Sequence, residues 1–216
     1  MTTTGPITTN QGRPVLRTDD AFLAEPVQEE TTRHKAYRFT LAAVRLSLGW
    51  IFLWAFLDKT FALGFATGRD PETGVVDRFG DAAWINGGSP TEGFLKFGAD
   101  GPFKDFYNGI AGDAWANWLF MLGLLGIGLA FILGIGMRIA AGAAVLMMAM
   151  MWLAELPLDK TTADGKPSGS PNPVTDYHFI YAVTGVVLAL TYAGHTWGLG
   201  KWWASLPFVQ KHRWLI

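Results

Sequence analysis

The chain has 216 residues, half of them hydrophobic, with 10 Trp and 26 Gly, a balance that suits a small polytopic membrane protein better than a soluble domain. A net charge of −1 gives no overall attraction to nucleic acid or to acidic lipid. The absence of Cys excludes an iron–sulfur cluster on this chain, dithiol exchange and a cysteine nucleophile, so electron chemistry would need an organic cofactor or a partner protein.

Residues 1–35 read as a flexible cytoplasmic tail: up to about Thr32 they are rich in Thr, Glu, Gln and Pro and show no apolar period. No basic region followed by an apolar core occurs there, so no cleaved signal peptide is expected. Arg33, His34, Lys35 and Arg38 then form a basic flank that, by the positive-inside rule, keeps the N-terminus in the cytoplasm.

Residues 36–196 are expected to form a four-helix transmembrane domain, with spans at about 39–65, 115–136, 139–156 and 177–194. The first span, FTLAAVRLSLGWIFLWAFLDKTFALGF, carries Arg45, Asp58 and Lys59. At about 100° and 1.5 Å per residue, Arg45 and Lys59 share a face within roughly 40° and stand about 21 Å apart. Two readings of these charges stay open. Arg45 reaches the inner headgroups while Asp58 and Lys59 mark the outer boundary, or the charges face a polar cavity or a ligand between helices.

The outer loop, 66–114, has eight acids against four bases, which fits an outside location, and its Trp84, Phe94, Phe97, Phe103, Phe106 and Tyr107 need a surface to pack on. Ser89-Pro90-Thr91-Glu92 has the pattern of a capping box with Pro at the first helical position. A short helix ending at Gly98 is expected, and a second from Pro102 to near Gly109, both lying at the surface over the bundle mouth.

In the second span Gly123, Gly126, Gly128, Gly134 and Gly136 permit close helix approach. Met137-Arg138 makes a short inner turn. Met147, Met148, Met150 and Met151 of the third span are adjustable core fillers that need no metal. Glu155, Pro157, Asp159 and Lys160 open a second outer loop, with a Gly/Ser/Pro run from Gly165 to Pro173. The fourth span begins at Asp176-Tyr177-His178. Residues 197–216, with Trp197, Trp202, Trp203, Phe208 and Trp214 among Lys201, Lys211 and Arg213, describe a Trp-rich interfacial tail on the cytoplasmic side.

The expected fold is therefore all-α, an integral membrane four-transmembrane-helix bundle of the inner (cytoplasmic) membrane with both termini inside. That topology carries Asp58, Lys59, Glu155, Asp159, Asp176 and His178 to the outer ends of the spans. One His beside carboxylates can relay protons to a quinone headgroup, or the set is a group of solvated helix ends. Haem is not expected, because His178 lies outside while His34, His195 and His212 lie inside. A metalloprotease or P-loop fold is not expected either, since no HExxH or GxxxxGK[ST] occurs. No resident metal is expected.

The stretch VRLSLGWIFLWAFLDKTFALGF, with Arg45, Gly49, Phe52 and Lys59, followed by GIGLAFILGIGMRIAA from Gly126 to Ala141, resembles the DoxX/DoxD-like family of four-helix membrane proteins. The resemblance covers roughly Ala36 to Gly194 in layout and reaches to the small subunit of thiosulfate:quinone oxidoreductases. It implies a membrane subunit of a quinone-linked redox complex. On the positions of these residues, the expected quinone-contact set is Trp54, Phe56 and Trp152 as aromatic walls, with Arg45, Asp58, Lys59, Glu155 and His178 as its charged and titratable groups. Redox or respiratory subunits, membrane lipid and a second copy of the chain are the implied partners. Members often carry a Glu early in the second span, and Met121 to Leu124 has none. A non-catalytic accessory subunit of a larger assembly is the alternative. A transporter finds little support, since no inverted repeats or matched helix breaks are evident.

Overall fold

The computed structural model describes residues 27–155, 172 and 174–216. Met1–Tyr37 and Arg38–Ile216 form two compact units; of the first the structure describes the start of one helix, and every later element belongs to the second. Among the described residues the fold is all-helical: α1 (Val27–Phe61), α2 (Lys104–Gly109), α3 (Ala114–Leu133), α4 (Met137–Glu155), α5 (Tyr177–Leu190), α6 (Gly200–Ser205) and α7 (Pro207–Lys211). Short 3₁₀ and π turns link them, at Trp84–Asn86, Phe94–Gly98, Gly101–Phe103, Ala193–His195 and Arg213–Leu215.

Among the described residues three helices are long and apolar enough to cross a membrane: His34–Phe61 within α1, Ala114–Leu133 and Met137–Glu155. Their outward faces carry exposed Trp118, Leu119, Leu122, Leu129 and Leu146, which water would penalise and lipid would not. Helix α5 is apolar but has only 14 residues, about 21 Å at 1.5 Å per residue. It ends at Leu190 rather than Gly194 because Tyr192 turns the chain with a φ of 53°.

The other boundaries differ from expectation for local reasons. Helix α1 begins at Val27, inside the stretch read as tail, and stops at Phe61 rather than Phe65, where Ala62 takes a φ of 51°. Helix α3 ends at Leu133, three residues before Gly136, because Gly134 adopts the left-handed conformation (φ 73°) that closes a helix. The expected loop residues Pro157, Asp159 and Lys160, and most of the run 165–173, lie outside the described residues.

The core sits where α1, α3, α4 and α5 meet and is filled by Leu48, Phe52, Met121, Leu124, Phe131, Met148 and Leu188. Glycine sets the spacing of α1 and α3. A Cβ on Gly128 would stand 2.7 Å from the backbone nitrogen of Leu53, and one on Gly49 would stand 2.9 Å from that of Ile132, so the two backbones touch. Gly126 and Gly142, by contrast, face open space.

Arg45 closes one end of this core. The last four carbonyls of a helix have no partner within it. Here the Ala130 carbonyl accepts from the Gly134 and Ile135 amides, the Leu133 carbonyl from the Leu199 amide at 2.7 Å, and the Phe131 and Ile132 carbonyls from Arg45 Nη1. Arg45 Nη2 donates in turn to the Thr196 and Trp197 carbonyls at 3.2 and 2.9 Å. Gly134, Gly194 and Gly198 make room, since a side chain at any of them would collide with backbone.

Candidate functional site

At the opposite end of the bundle the segment between α1 and α3 folds over α3 and α4. Asn117 anchors it to α3: its buried side-chain oxygen accepts from Thr91 Oγ1 at 2.7 Å, the Thr91 amide at 3.1 Å and Ser89 Oγ at 3.1 Å. Ser89 Oγ accepts in turn from the Glu92 amide at 3.3 Å, as an N-cap residue does. Two further bonds anchor the segment to α4, the Tyr107 hydroxyl to the Met150 carbonyl at 2.9 Å and the Asp100 amide to the Ala154 carbonyl at 2.7 Å. Burial pushes the Tyr107 phenol above its ordinary pKa, so it stays protonated and donating.

Under this roof lies a cavity of about 270 Å³. Pro90, Thr91, Phe94, Leu95, Tyr107 and Ile110 make the ceiling; Leu119, Phe120, Gly123 and Ile127 of α3 and Ala143, Leu146, Met147 and Met150 of α4 make the walls. Trp115, Leu119 and Leu146 are also exposed to the outside, so the cavity opens sideways between α3 and α4. Among the described residues its one charged lining residue is Lys59. Among the described residues no side chain or carbonyl accepts a hydrogen bond from its ammonium.

The carboxylate beside it is engaged elsewhere. Asp58, 1% exposed, accepts from the Phe65 amide at 3.0 Å and the Ala66 amide at 2.8 Å, one on each oxygen. It thereby fixes the turn that ends α1.

Of the quinone-contact set expected from the sequence, Lys59 alone lines the cavity. Arg45 is fully buried at the other end of α1. Its side chain faces other helices, where its acceptors are helix-end carbonyls rather than headgroups or a ligand. Trp54 packs between Trp50 and Phe65, with ring centroids 5.7 and 5.1 Å away, and Phe56 packs on the core. The aromatic walls are instead Phe94, Tyr107, Trp115 and Phe120.

Glu155, Asp176 and His178 are brought together, with donor atoms within 4.8 Å of one another. Trp152 stands one turn before Glu155, and its indole N–H has no partner among the described residues. Asp58 and Lys59 make no hydrogen bond or ion pair with this group among the described residues.

Sequence reasoning missed Asn117 and gave Thr91 only a place in the capping box; both are buried polar residues. A lone Asn in an otherwise apolar span was the available signal, because a buried amide needs partners.

The class defined is an all-helical protein with membrane-spanning character and a laterally open apolar cavity. No protein-family model, curated protein or solved structure matches the chain.

Proposed function

We propose that the chain is a membrane subunit of a quinone-linked redox complex, similar to DoxX/DoxD-like proteins, and that the roofed cavity holds the quinone headgroup. In this reading α5 completes a four-helix bundle in the cytoplasmic membrane, both termini are cytoplasmic, and the roof segment lies at the outer surface.

The observation that carries the proposal is the lone Lys59 ammonium in the wall of an apolar, aromatic cavity that opens toward lipid. A quinone needs flat apolar walls for its ring, a lateral exit for its isoprenoid tail and a donor for a carbonyl oxygen. The cavity volume is close to the lower end, about 300 Å³, of small-molecule sites. The Lys59 ammonium in the cavity wall has no hydrogen-bond acceptor among the described residues, and a quinone carbonyl supplies one. When bound, the quinone would supply two-electron redox chemistry; the chain's residues bind and orient it and exclude water. Purification in mild detergent followed by solvent extraction and mass spectrometry is expected to give near-stoichiometric quinone, reduced by Lys59→Met. Lipid alone in the extract would contradict the proposal.

A second reading, an accessory subunit of a larger assembly, is favoured by Gly126 and Gly142. Both are exposed on apolar faces with open space where a side chain would stand, so another helix can approach closely. Crosslinking in native membranes is expected to capture constant partners through these faces, and a chain that always migrates alone would defeat this reading.

A further inference from the structure

We infer that the segment after α5 is a docking plate for anionic phospholipid headgroups, built on the Arg45 end of the bundle. The plate is folded onto the helices by specific bonds. The Leu199 amide donates to the Leu133 carbonyl at 2.7 Å, and the Trp203 indole N–H donates to the Leu215 carbonyl at 3.1 Å, which ties α6 to the 3₁₀ turn Arg213–Leu215. Val209 and Leu215 are buried, and Trp203 and Leu215 share a small cavity with Gly136 and Met137, so the plate packs on the start of α4.

Packing in this way leaves a second set of side chains outside. Trp197, Trp202, Phe208 and Trp214 are between 54 and 64% exposed. The inward positions are already filled by Val209 and Leu215, so these rings have no core to enter. Water penalises such surface, whereas Trp settles at the headgroup level of a bilayer, where its apolar body and polar N–H are both served.

The charge on the same end has one sign. Arg138, Lys201, Lys211 and Arg213 are exposed, and Arg38 joins the plate through Nε, which donates to Thr196 Oγ1 at 3.3 Å. Arg38 and Lys201 both stand close enough to His195 to act on its charge. No Asp or Glu occurs in 38–57, 114–154 or 177–216, and among the described residues no salt bridge joins any of these bases to a carboxylate side chain. A net charge of −1 over the whole chain is no guide to this local excess.

Exposed aromatic rings among unpaired bases complement an anionic bilayer surface, which takes up the rings and answers the charge together. An acidic protein could answer the bases as well. Continuity of surface decides for lipid: the plate adjoins Leu133 and Ile139, which are exposed on the apolar faces of α3 and α4. This inference stands independently of the quinone reading.

The test uses the full chain purified in detergent, washed free of lipid, and given equal amounts of dioleoylphosphatidylglycerol and dioleoylphosphatidylcholine, with bound lipid per chain read by native mass spectrometry. The two lipids differ only in headgroup, and phosphatidylglycerol is expected to bind in several-fold excess at low salt. One base near an anionic surface is worth about fivefold in binding, so Lys201→Gln, Lys211→Gln and Arg213→Gln together should abolish the excess and weaken phosphatidylglycerol binding about tenfold or more. Lys96→Gln with Lys104→Gln, at the opposite end, should leave it unchanged. The three plate bases are exposed and their side chains make no hydrogen bond among the described residues, so the triple variant should keep its fold, which gel filtration checks. Equal binding of the two lipids by the unaltered chain, the result expected if the plate docks an acidic protein instead, would overturn the inference. So would an excess of phosphatidylglycerol that survives the triple substitution.

Discussion

Asp58 and Lys59 are neighbours in the chain, yet the carboxylate of Asp58 is spent on the Phe65 and Ala66 amides while the ammonium of Lys59 lines the cavity. Among the described residues no salt bridge joins the two side chains. Asp58→Ala leaves two amides without acceptors in a closed turn and should destabilise the fold by about 2–4 kcal/mol. Asp58→Asn keeps one acceptor and should cost less. Thermal unfolding in detergent reads both.

Arg45 is predicted to be the most sensitive charge in the chain. Arg45→Met leaves the Phe131, Ile132, Thr196 and Trp197 carbonyls without their donor and should cost about 3 kcal/mol or more. Arg45→Lys should recover only part, because an ammonium lacks the planar fork that reaches two chain segments at once. Equal stability of Arg45→Met and the unaltered protein, by thermal or chemical unfolding, would refute this.

The glycines of α3 offer an internal control. Gly128→Ala forces a methyl against the Leu53 backbone and should destabilise by about 1–3 kcal/mol. Gly126→Ala meets open space and should be neutral or stabilising by up to about 1 kcal/mol. Equal effects at the two positions would show that α1 and α3 do not pack through Gly128.

His195 should make stability depend on pH. Burial, with Lys201 and Arg38 adding positive charge, holds its pKa below the ordinary value of about 6.5. Above that pH the ring is neutral in both folded and unfolded chains and contributes nothing. As pH falls below about 6.5 the unfolded chain takes up the proton first, so stability drops until the folded-state pKa is passed. His195→Gln should flatten that fall in a series of unfolding temperatures, and an unchanged slope would exclude His195 as its source.

The apolar helices were legible in the sequence because about twenty uncharged residues in a row have few alternatives to a bilayer. Clustering of Glu155, Asp176 and His178 was legible too, since it needs only the alternation of helix direction. The role of Arg45 was not, because its acceptors at Thr196 and Trp197 are more than 150 residues away and nothing local marks a carbonyl as orphaned. Nor were the cavity walls. Which aromatics line a space depends on how the loop folds back, and that is set by Asn117 binding Ser89 and Thr91 across the roof.

Quinone retention by purified Lys59→Met, beside the unaltered chain, tests the role of the cavity most directly. Lys59 is part-buried, Met matches its stem, and no other residue's hydrogen bond is lost, so unfolding temperature should hold within a few degrees. Near-stoichiometric quinone is expected in the unaltered protein, with a several-fold loss in the variant. Equal quinone in both, or none in either, would contradict a quinone site at Lys59.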